Sequence, residues 1–554
     1  MAKAESLARS NQIPQNSLFK GLYINFRGDL TGGLTTAVVT IPLALAFAVA
    51  SGLEPKAGIY TAIVAGVVAT VFGGSPVQIT GPTGAMAMIL VGVVAKYGIE
   101  KVWIASVMAG IIQIALGVAK LGRLVKFIPY PVIVGFTNGI AVIIFCSQLN
   151  DFFGLHLPNQ EHFFQALWQT ITNLEAYNWF AIALAILTIG TKLLWDRINQ
   201  SIPGSLISLI VATLAAIVAK SQWNLKVPTI GLIPQSLPIP QSIPYWNDFR
   251  VISELITPAI ALAALGSIES LLAAVVADGM MVGDRHNSDQ QLIGQGLANM
   301  IVPFFGGFPA TGTISRTAVN VRAGGKTRLS GVIHSVALAL IVLAFAPLAS
   351  QVPMAALAGI LILTSISMME WKAIGWLLNT AYADFGVMVL TWLVTVCFDL
   401  VLAVEVGLIA AGVFFVKRMS ELSFVKTSED CFLNDGVPLE FRKQIAIYRI
   451  DGPIFFGAAD RFVSFLRDAP EVKFLILRMR YVLTMDTTGL MALEEIYRYL
   501  QRHNCQLILT GLCPEVEQLL DRSGLIKEIG KENCFPNTED ALSQIMTPQQ
   551  LVEA

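Results

Sequence analysis

The chain has 554 residues, of which 55% are hydrophobic and only 14% charged, with a formal net charge of −1 and a mean hydropathy of +0.65. An average soluble domain carries about 25% charged residues, and a net charge this close to zero leaves no basic surplus to face phosphates. A wholly soluble enzyme and a nucleic-acid binder are both disfavoured. The charge is also unevenly placed, because residues 420–554 hold 34 of the 75 charged side chains and the first 419 residues hold the other 41. The chain therefore reads as a large membrane part followed by an ordinary soluble domain.

In chain order, residues 1–28 are polar and mixed in charge. They have no short apolar stretch before a small-residue cleavage site and read as a cytoplasmic segment, not a signal peptide. Charge-free runs follow at 30–53, 57–95, 102–119, 127–150, 176–191, 198–219, 290–315, 329–369 and 385–398. About 20 residues cross the hydrocarbon as a helix, so each run near 40 must hold two segments. Adding the segments around Glu269 and 404–416 gives ten to fourteen passes. Basic residues set the orientation. Lys3, Arg9, Lys20 and Arg27 precede the first pass, and the even-numbered loops carry Lys120/Arg123/Lys126, Lys192/Arg197, Arg322/Lys326/Arg328 and Lys417/Arg418. Lys220, Lys226 and Arg250 fall on the other side and fit less well. The expectation is a multi-pass protein of the cell (inner) membrane with both termini cytoplasmic, and hence an even number of passes.

Two segments interrupt the apolar pattern with Gly, Pro and Thr, at 73–85 and 306–313. Both open on Gly-Gly, and both carry Thr-Gly before a helix-like run, at Thr83-Gly84 and Thr311-Gly312. These lie 228 residues apart, and Asp29 and Glu254, each opening a long apolar run, lie 225 apart. Duplicated halves at about 29–250 and 254–419 follow, with seven passes each and fourteen in total. An odd number per half forces the second half to insert upside down, the inverted-repeat plan of secondary transporters. Irregular backbone survives at mid-membrane depth only where it lines a cavity. Free N–H groups and the positive dipole end of each helix start would point into that cavity. Two facing starts would hold a small anion without Lys or Arg. Candidate anion-binding residues are Thr83, Gly84 and Ala85 at one start, and Ala310, Thr311, Gly312 and Thr313 at the other.

Glu269 sits in an otherwise apolar run, where an ionised carboxylate is costly unless paired, protonated or solvated by a cavity. Arg316, four residues after Gly312, is its natural partner and adds positive potential near the anion. Glu269 then takes a coupling proton or helps hold a cation. Phe47 lies in the first half where Glu269 lies in the second. An aromatic there is more often core than ligand contact, and it completes the candidate anion-binding set. Asp399 and Glu405 read as loop or interface charges, and Gln113 and Asn320 as groups able to bond across helices. The six Cys show no CxxC and no metal spacing, so they read as plain thiols in a reducing compartment, and no metal site is expected.

Residues 420–443 read as a linker. Within 444–554, strands at 445–450, 473–479 and 506–509 alternate with helices at 459–467, 489–503 and 515–523, the pattern of a small α/β domain. In Asp486-Thr487-Thr488-Gly489, Asp486 or Thr487 is a good N-cap. No Gly-rich phosphate loop or paired catalytic carboxylates are visible, so enzymatic activity is unsupported.

The ordered motifs resemble the SulP (sulfate permease, SLC26-type) anion transporters with a C-terminal STAS domain. They are Gly52-Leu53-Glu54-Pro55-Lys56-Ala57-Gly58-Ile59-Tyr60 with Phe72-Gly73-Gly74-Ser75, Thr80-Gly81-Pro82-Thr83-Gly84, Ser267-Ile268-Glu269-Ser270-Leu271-Leu272, and Thr313-Ile314-Ser315-Arg316-Thr317-Ala318-Val319-Asn320. The tail turn at Asp486 is similar to the STAS loop, with Thr487 where related anti-sigma antagonists carry a phosphorylatable Ser. The resemblance implies fourteen spans in an inverted repeat, half-helices after Pro82 and Pro309, a central anion site between them, a homodimer, and a coupling role for Glu269. It also leaves open a cytoplasmic regulator acting at the STAS-like domain around Asp486 and Thr487. The resulting expectation is a secondary active transporter of a small inorganic oxyanion, sulfate first, by proton or sodium symport and without a cofactor. Bicarbonate or a dicarboxylate is the alternative within the same mechanism. A nucleobase carrier and a scaffold with vestigial transport are the competing classes, and uptake in cells separates them.

Overall fold

The computed structural model describes residues 25–546 except 124–127, 158–162, 199–202, 245–247, 282–284, 428–443, most of 456–471 and the single positions 156, 226, 232, 381, 399 and 423. Most of the expected N-terminal segment, Asp399, Cys431 and the helix expected at 459–467 lie outside the described residues. The chain divides into two compact units, Met1–Leu408 and Ile409–Ala554.

Leaving aside short helices such as Phe163–Thr172 and Trp371–Thr380, the helices among the described residues before residue 423 fall into two sets of seven. The first set is α1 (Phe26–Ala50), α2 (Pro55–Phe72), α3 (Gly84–Tyr97), α4 (Ile99–Val118), α5 (Tyr130–Ser147), α6 (Trp179–Ile198) and α7 (Gly204–Trp223). The second is α8 (Ile256–Met280), α9 (Ser288–Ile301), α10 (Ile314–Arg322), α11 (Arg328–Ala349), α12 (Met354–Met368), α13 (Tyr382–Cys397) and α14 (Leu400–Leu422). Among the described residues nine helices are long and apolar enough to cross a membrane. The third helix of each set is not: α3 has 14 residues and α10 has 9. At 1.5 Å per residue neither reaches the ~30 Å of a hydrocarbon core. Before each lies a two-residue strand, β1 (Thr80–Gly81) and β2 (Thr311–Gly312), and these pair antiparallel. Large apolar side chains such as Leu194, Leu214, Leu340 and Ile409 are exposed on the outer helix faces. Hydrocarbon, not water, is the solvent that suits them.

Helix packing brings the two sets together. Helices α4 and α9 cross at Gly110 and Gly296, where a Cβ on either residue would strike the other's carbonyl oxygen. Side chains at this crossing would force the backbones apart, so close approach requires glycine. The start of α11 is held by α1: the buried Asp29 carboxylate accepts from Lys326 N (2.8 Å), Thr327 N (3.0 Å) and Thr327 Oγ1 (2.6 Å). The cap of the first turn is Thr327, whose hydroxyl accepts from Leu329 N at 3.2 Å, and the carboxylate that fixes this capping residue comes from the other half of the chain.

The second unit holds β3 (Phe424–Thr427), β4 (Ile445–Asp451), β5 (Phe474–Tyr481), α15 (Thr487–Arg502), β6 (Gln506–Thr510), α16 (Pro514–Ser523), β7 (Cys534–Phe535) and α17 (Thr538–Ile545). The strands form one sheet in the order β3-β4-β5-β6-β7, with β3-β4 antiparallel and the rest parallel. Both faces of the parallel strands are buried, as their near-continuous apolar sequences require. The sequence reading of 420–443 as linker needs correction at its start: α14 runs on to Leu422, and Phe424–Thr427 forms the edge strand on β4. Four residues are too few to display an alternating pattern.

Two outcomes follow. Asp29→Ala strips a buried acceptor from three donors, so it should cost about 1–3 kcal/mol and lower the unfolding temperature of the detergent-purified protein. In the second unit, burial pushes the Cys505 thiol up to about 11, which keeps it protonated and unreactive at pH 8. Mass-resolved labelling with a thiol reagent should modify Cys513 well before Cys505.

Candidate functional site

The two chain breaks are extended because Pro82 and Pro309 supply no N–H and hold the preceding residue away from helical geometry. Antiparallel pairing of Thr80 with Gly312 and of Gly81 with Thr311 ties them together. Ile79 O extends the tie by accepting Thr313 N (3.0 Å) and Thr313 Oγ1 (3.2 Å). Each break then turns into its half-helix at a threonine. Thr83 is the N-cap of α3, its hydroxyl accepting from Met86 N at 3.4 Å. Thr313 is the N-cap residue of α10, but its hydroxyl is spent on Ile79 and leaves that helix start without a side-chain cap. Among the described residues the first-turn N–H groups of Gly84 and Ala85 in α3, and of Ile314 and Ser315 in α10, have no hydrogen-bond partner. They are the orphan donors that every helix start presents.

Glu269 of α8 joins the two starts. Its Oε2 accepts from Thr311 Oγ1 at 2.7 Å and from Thr83 Oγ1 at 3.0 Å, and the two hydroxyl oxygens lie 3.4 Å apart. The 228-residue pair found in the sequence thus meets on one carboxylate oxygen. Phe47 of α1 is buried and lies against Gly84 at the first turn of α3. Arg316 is buried, and its Nη2 donates to Pro82 O, while its Nη1 has no partner.

Several expected residues have other work. Glu269 and Arg316 do not form the expected ion pair: threonines hold the acid and the Pro82 carbonyl holds the guanidinium, although the two charges act on one another through space. The backbone N–H of Ala310 goes to Asn299 Oδ1 (2.8 Å) and that of Gly312 to Ser270 Oγ (3.0 Å), so neither is free to hold an anion. The free donors of the second start lie two residues on, at Ile314 and Ser315. The Thr-Gly repeat aligned Gly312 with Gly84, but helix α10 begins at 314 where exact repetition would begin it at 312. Asp486 lies in the second unit, where its Oδ1 caps Gly489 N at 2.8 Å and Thr487 stands exposed at the start of α15.

The sequence reading also missed a polar stripe. Gln291, Gln295 and Asn299 recur every four residues on α9 and are all buried. Gln291 Oε1 accepts from Gly74 N (2.8 Å) and Ser75 N (2.9 Å), and Gln295 Nε2 donates to Ala310 O (2.7 Å). Asn299, besides holding Ala310, donates to Gln113 Oε1 at 2.8 Å. The i, i+4, i+8 spacing inside a charge-free run was a visible signal. Among the described residues no group of three His, Cys, Asp or Glu has the arrangement of a metal site.

Removing either hydroxyl that holds Glu269 should change function more than folding. Thr311→Val and Thr83→Val should each lower anion uptake, Thr311→Val by about tenfold because it loses the shorter bond. The double variant should lose less than the product of the two. Initial-rate uptake, with thermal unfolding as the folding control, checks this.

Comparison with known proteins agrees with the geometry. The chain matches the Sulfate permease family over residues 26–391 and the STAS domain over 437–541. It is 40% identical over 527 residues to a putative sulfate transporter, YvdB, of Bacillus subtilis, covering 94% of this chain and 98% of the relative. It is 31% identical over 544 residues to the bicarbonate transporter BicA of a Picosynechococcus strain, covering 94% of each. The solved transmembrane domain of a cyanobacterial BicA superposes with a TM-score of 0.62 at 32% identity, covering 71% of this chain and 98% of that one. Murine Slc26a9 gives a TM-score of 0.80 over 98% of this chain and 97% of that one, a likeness of fold at 18% identity. Neither the family nor these relatives are enzymes. The chain belongs to the sulfate permease family of anion transporters and carries that family's STAS domain at its C-terminal end.

Proposed function

We propose that the protein is a secondary active transporter of a small inorganic oxyanion, sulfate first, driven by symport with a cation and working by alternating access. The observation that carries this reading is the convergence of Thr83 and Thr311, one from each half-helix start, on Glu269 Oε2. The free N–H groups of Gly84, Ala85, Ile314 and Ser315 suit the oxygens of an anion, which sits between them with Phe47 and Arg316 alongside, and the two hydroxyls, each with one proton, can donate to it only when they turn from Glu269. Thr313 keeps the second start open by turning its hydroxyl away. The name of the 40% identical relative supports sulfate.

The same carboxylate gives the coupling its physical basis. Two unit charges 4 Å apart repel by roughly 4 kcal/mol at an effective dielectric of 20, and a divalent anion doubles that. An oxyanion therefore enters readily only when a proton or a bound sodium ion removes the charge on Glu269. Of the two coupling ions we place the proton first, carried on the Glu269 carboxyl, with sodium as the alternative. We further propose that both termini face the cytoplasm, that the protein is a homodimer, and that the domain beginning near residue 444 adjusts rate or assembly, with exposed Thr487 as a regulatory position. A bicarbonate carrier is the second reading, favoured by the similarity of chain and membrane fold to BicA.

Labelled sulfate uptake into proteoliposomes, under an imposed proton or sodium gradient and with bicarbonate as competitor, tests the assignment. Proton-driven accumulation is expected. Accumulation that requires sodium and is lost to bicarbonate moves the assignment to the second reading. Glu269→Gln should abolish coupled accumulation while leaving anion binding measurable, and wild-type accumulation by this variant would remove Glu269 from the coupling step. Deleting 444–554 should lower the rate and leave the order of anion preference unchanged.

A further inference from the structure

A cavity of about 540 Å³ opens beside the half-helix α3, away from the threonine–glutamate centre. One face of α3 forms a wall of it through Met88, Gly92 and Lys96, each four residues from the next. One further step of four back along the same face is Gly84, a free donor of the anion site. The stripe thus leads from the site to Lys96 over roughly 18 Å at 1.5 Å per residue. Cys146 and Asp151, and Ala261 two turns before Glu269 on α8, complete the relevant lining. The stripe is open at Gly92, where a side chain would meet nothing within 4 Å, and closes at Gly84 against Ile144 and Phe47, so passage of an anion from the cavity to the site needs those two side chains to move.

The cation at the far end of the stripe has no contact ion pair among the described residues. Lys101 Nζ pairs with Glu254 at 3.6 Å, whereas Lys96, which is exposed, has no carboxylate partner among the described residues and only rests 5.2 Å from the Tyr97 ring. Asp151 is the acid of the same lining, so the cavity carries one charge of each sign. A cation of this kind at the mouth of a low-dielectric cavity raises the local concentration of anions. Its long stem lets the ammonium follow an anion some way inward before releasing it.

We propose that this cavity is an anion-staging vestibule, in which Lys96 draws an oxyanion from solution and hands it along the Met88–Gly92 stripe to the half-helix site. Asp151 opposes that attraction and limits how tightly the anion dwells there, so that staging does not become trapping. The proposal rests on the reading of the chain as an anion carrier and adds a second, weaker site that serves one membrane face only. On the topology proposed above, that face is the outer one.

Cys146 makes the vestibule testable without transport. With Cys397, Cys431, Cys505, Cys513 and Cys534 replaced by Ser or Ala, Cys146 is the only thiol in the chain. Its labelling in proteoliposomes by negatively and positively charged methanethiosulfonates of similar size reports the field of the cavity. Lys96→Gln should lower the ratio of anionic to cationic labelling about three- to tenfold, and Asp151→Asn should raise it. Sulfate and bicarbonate should slow anionic labelling in the parent and lose that effect in Lys96→Gln. In uptake assays Lys96→Gln should raise the half-saturating sulfate concentration by a similar factor, more than it lowers the maximal rate and only for anion supplied from the vestibule face. Lys96→Arg should restore most of it.

A labelling ratio and a half-saturating concentration both unmoved by Lys96→Gln would overturn the vestibule, even in a protein that transports sulfate well. A parent protein that moves no anion would overturn the transport reading instead. The labelling ratio and its protection by sulfate would then decide the vestibule by themselves.

Discussion

A polypeptide crossing hydrocarbon has no water to bond with, so every backbone group that leaves a helix at that depth needs a partner within the protein. This constraint organises the membrane unit. Both chain breaks are irregular, and the buried side of α9 answers them. Gln291 takes the amides at the start of the first break, while Gln295 and Asn299 take the carbonyl and amide of Ala310 in the second. Thr317 and Thr61 accept from Ile79 N and Phe308 N, Asn320 donates to Val77 O, and the short ladder between β1 and β2 adds main-chain pairing. Only with these obligations met do a few donors stay free, at Gly84, Ala85, Ile314 and Ser315. The free donors of the centre are what the pairing of the surrounding backbone groups leaves over.

The chemistry of the centre follows from which groups were left over. Helix starts and hydroxyls offer partial positive charge in fixed directions, without the long flexible stem of a lysine. They suit an anion that must be bound and then released. The one full cation at the centre, Arg316, is fixed to the Pro82 carbonyl at the end of β1, which makes it a contributor of potential more than a ligand. The buried acid of the centre, Glu269, occupies the convergence of the two threonine hydroxyls, and in the proposed reading it stands in the same field as the transported ion. Two like charges in one field cannot both be accommodated without a compensating cation, which is the elementary form of coupled transport.

Much of the architecture was legible in the sequence because it was written as spacing. The 228-residue offset, the Pro-bracketed breaks and the lone acid in an apolar run all reported on one place, and Thr83, Thr311, Glu269, Arg316 and Phe47 do come together there. What was not legible is where equal spacing hides unequal structure. Thr83 is a cap and Thr311 is strand, because α10 starts two residues later than exact repetition would put it. Attraction between Glu269 and Arg316 was a sound expectation from charge alone, but nearby hydroxyls and a carbonyl satisfied each group separately. The α9 stripe was missed for a different reason: amides carry no charge, and a charge-based search of a membrane sequence passes over them. The edge strand at Phe424–Thr427 was too short to announce itself.

The pairing of β1 with β2 has a bearing on how such a protein can change over generations. Its bonds are made by main-chain atoms, so ordinary substitutions of the side chains on those strands do not delete them. The two half-helices are therefore bound into a socket whose frame is largely indifferent to which residues decorate it. Side chains around the socket can be exchanged while the frame persists. A fold of this kind can diversify around its centre without having to rebuild the frame that holds it.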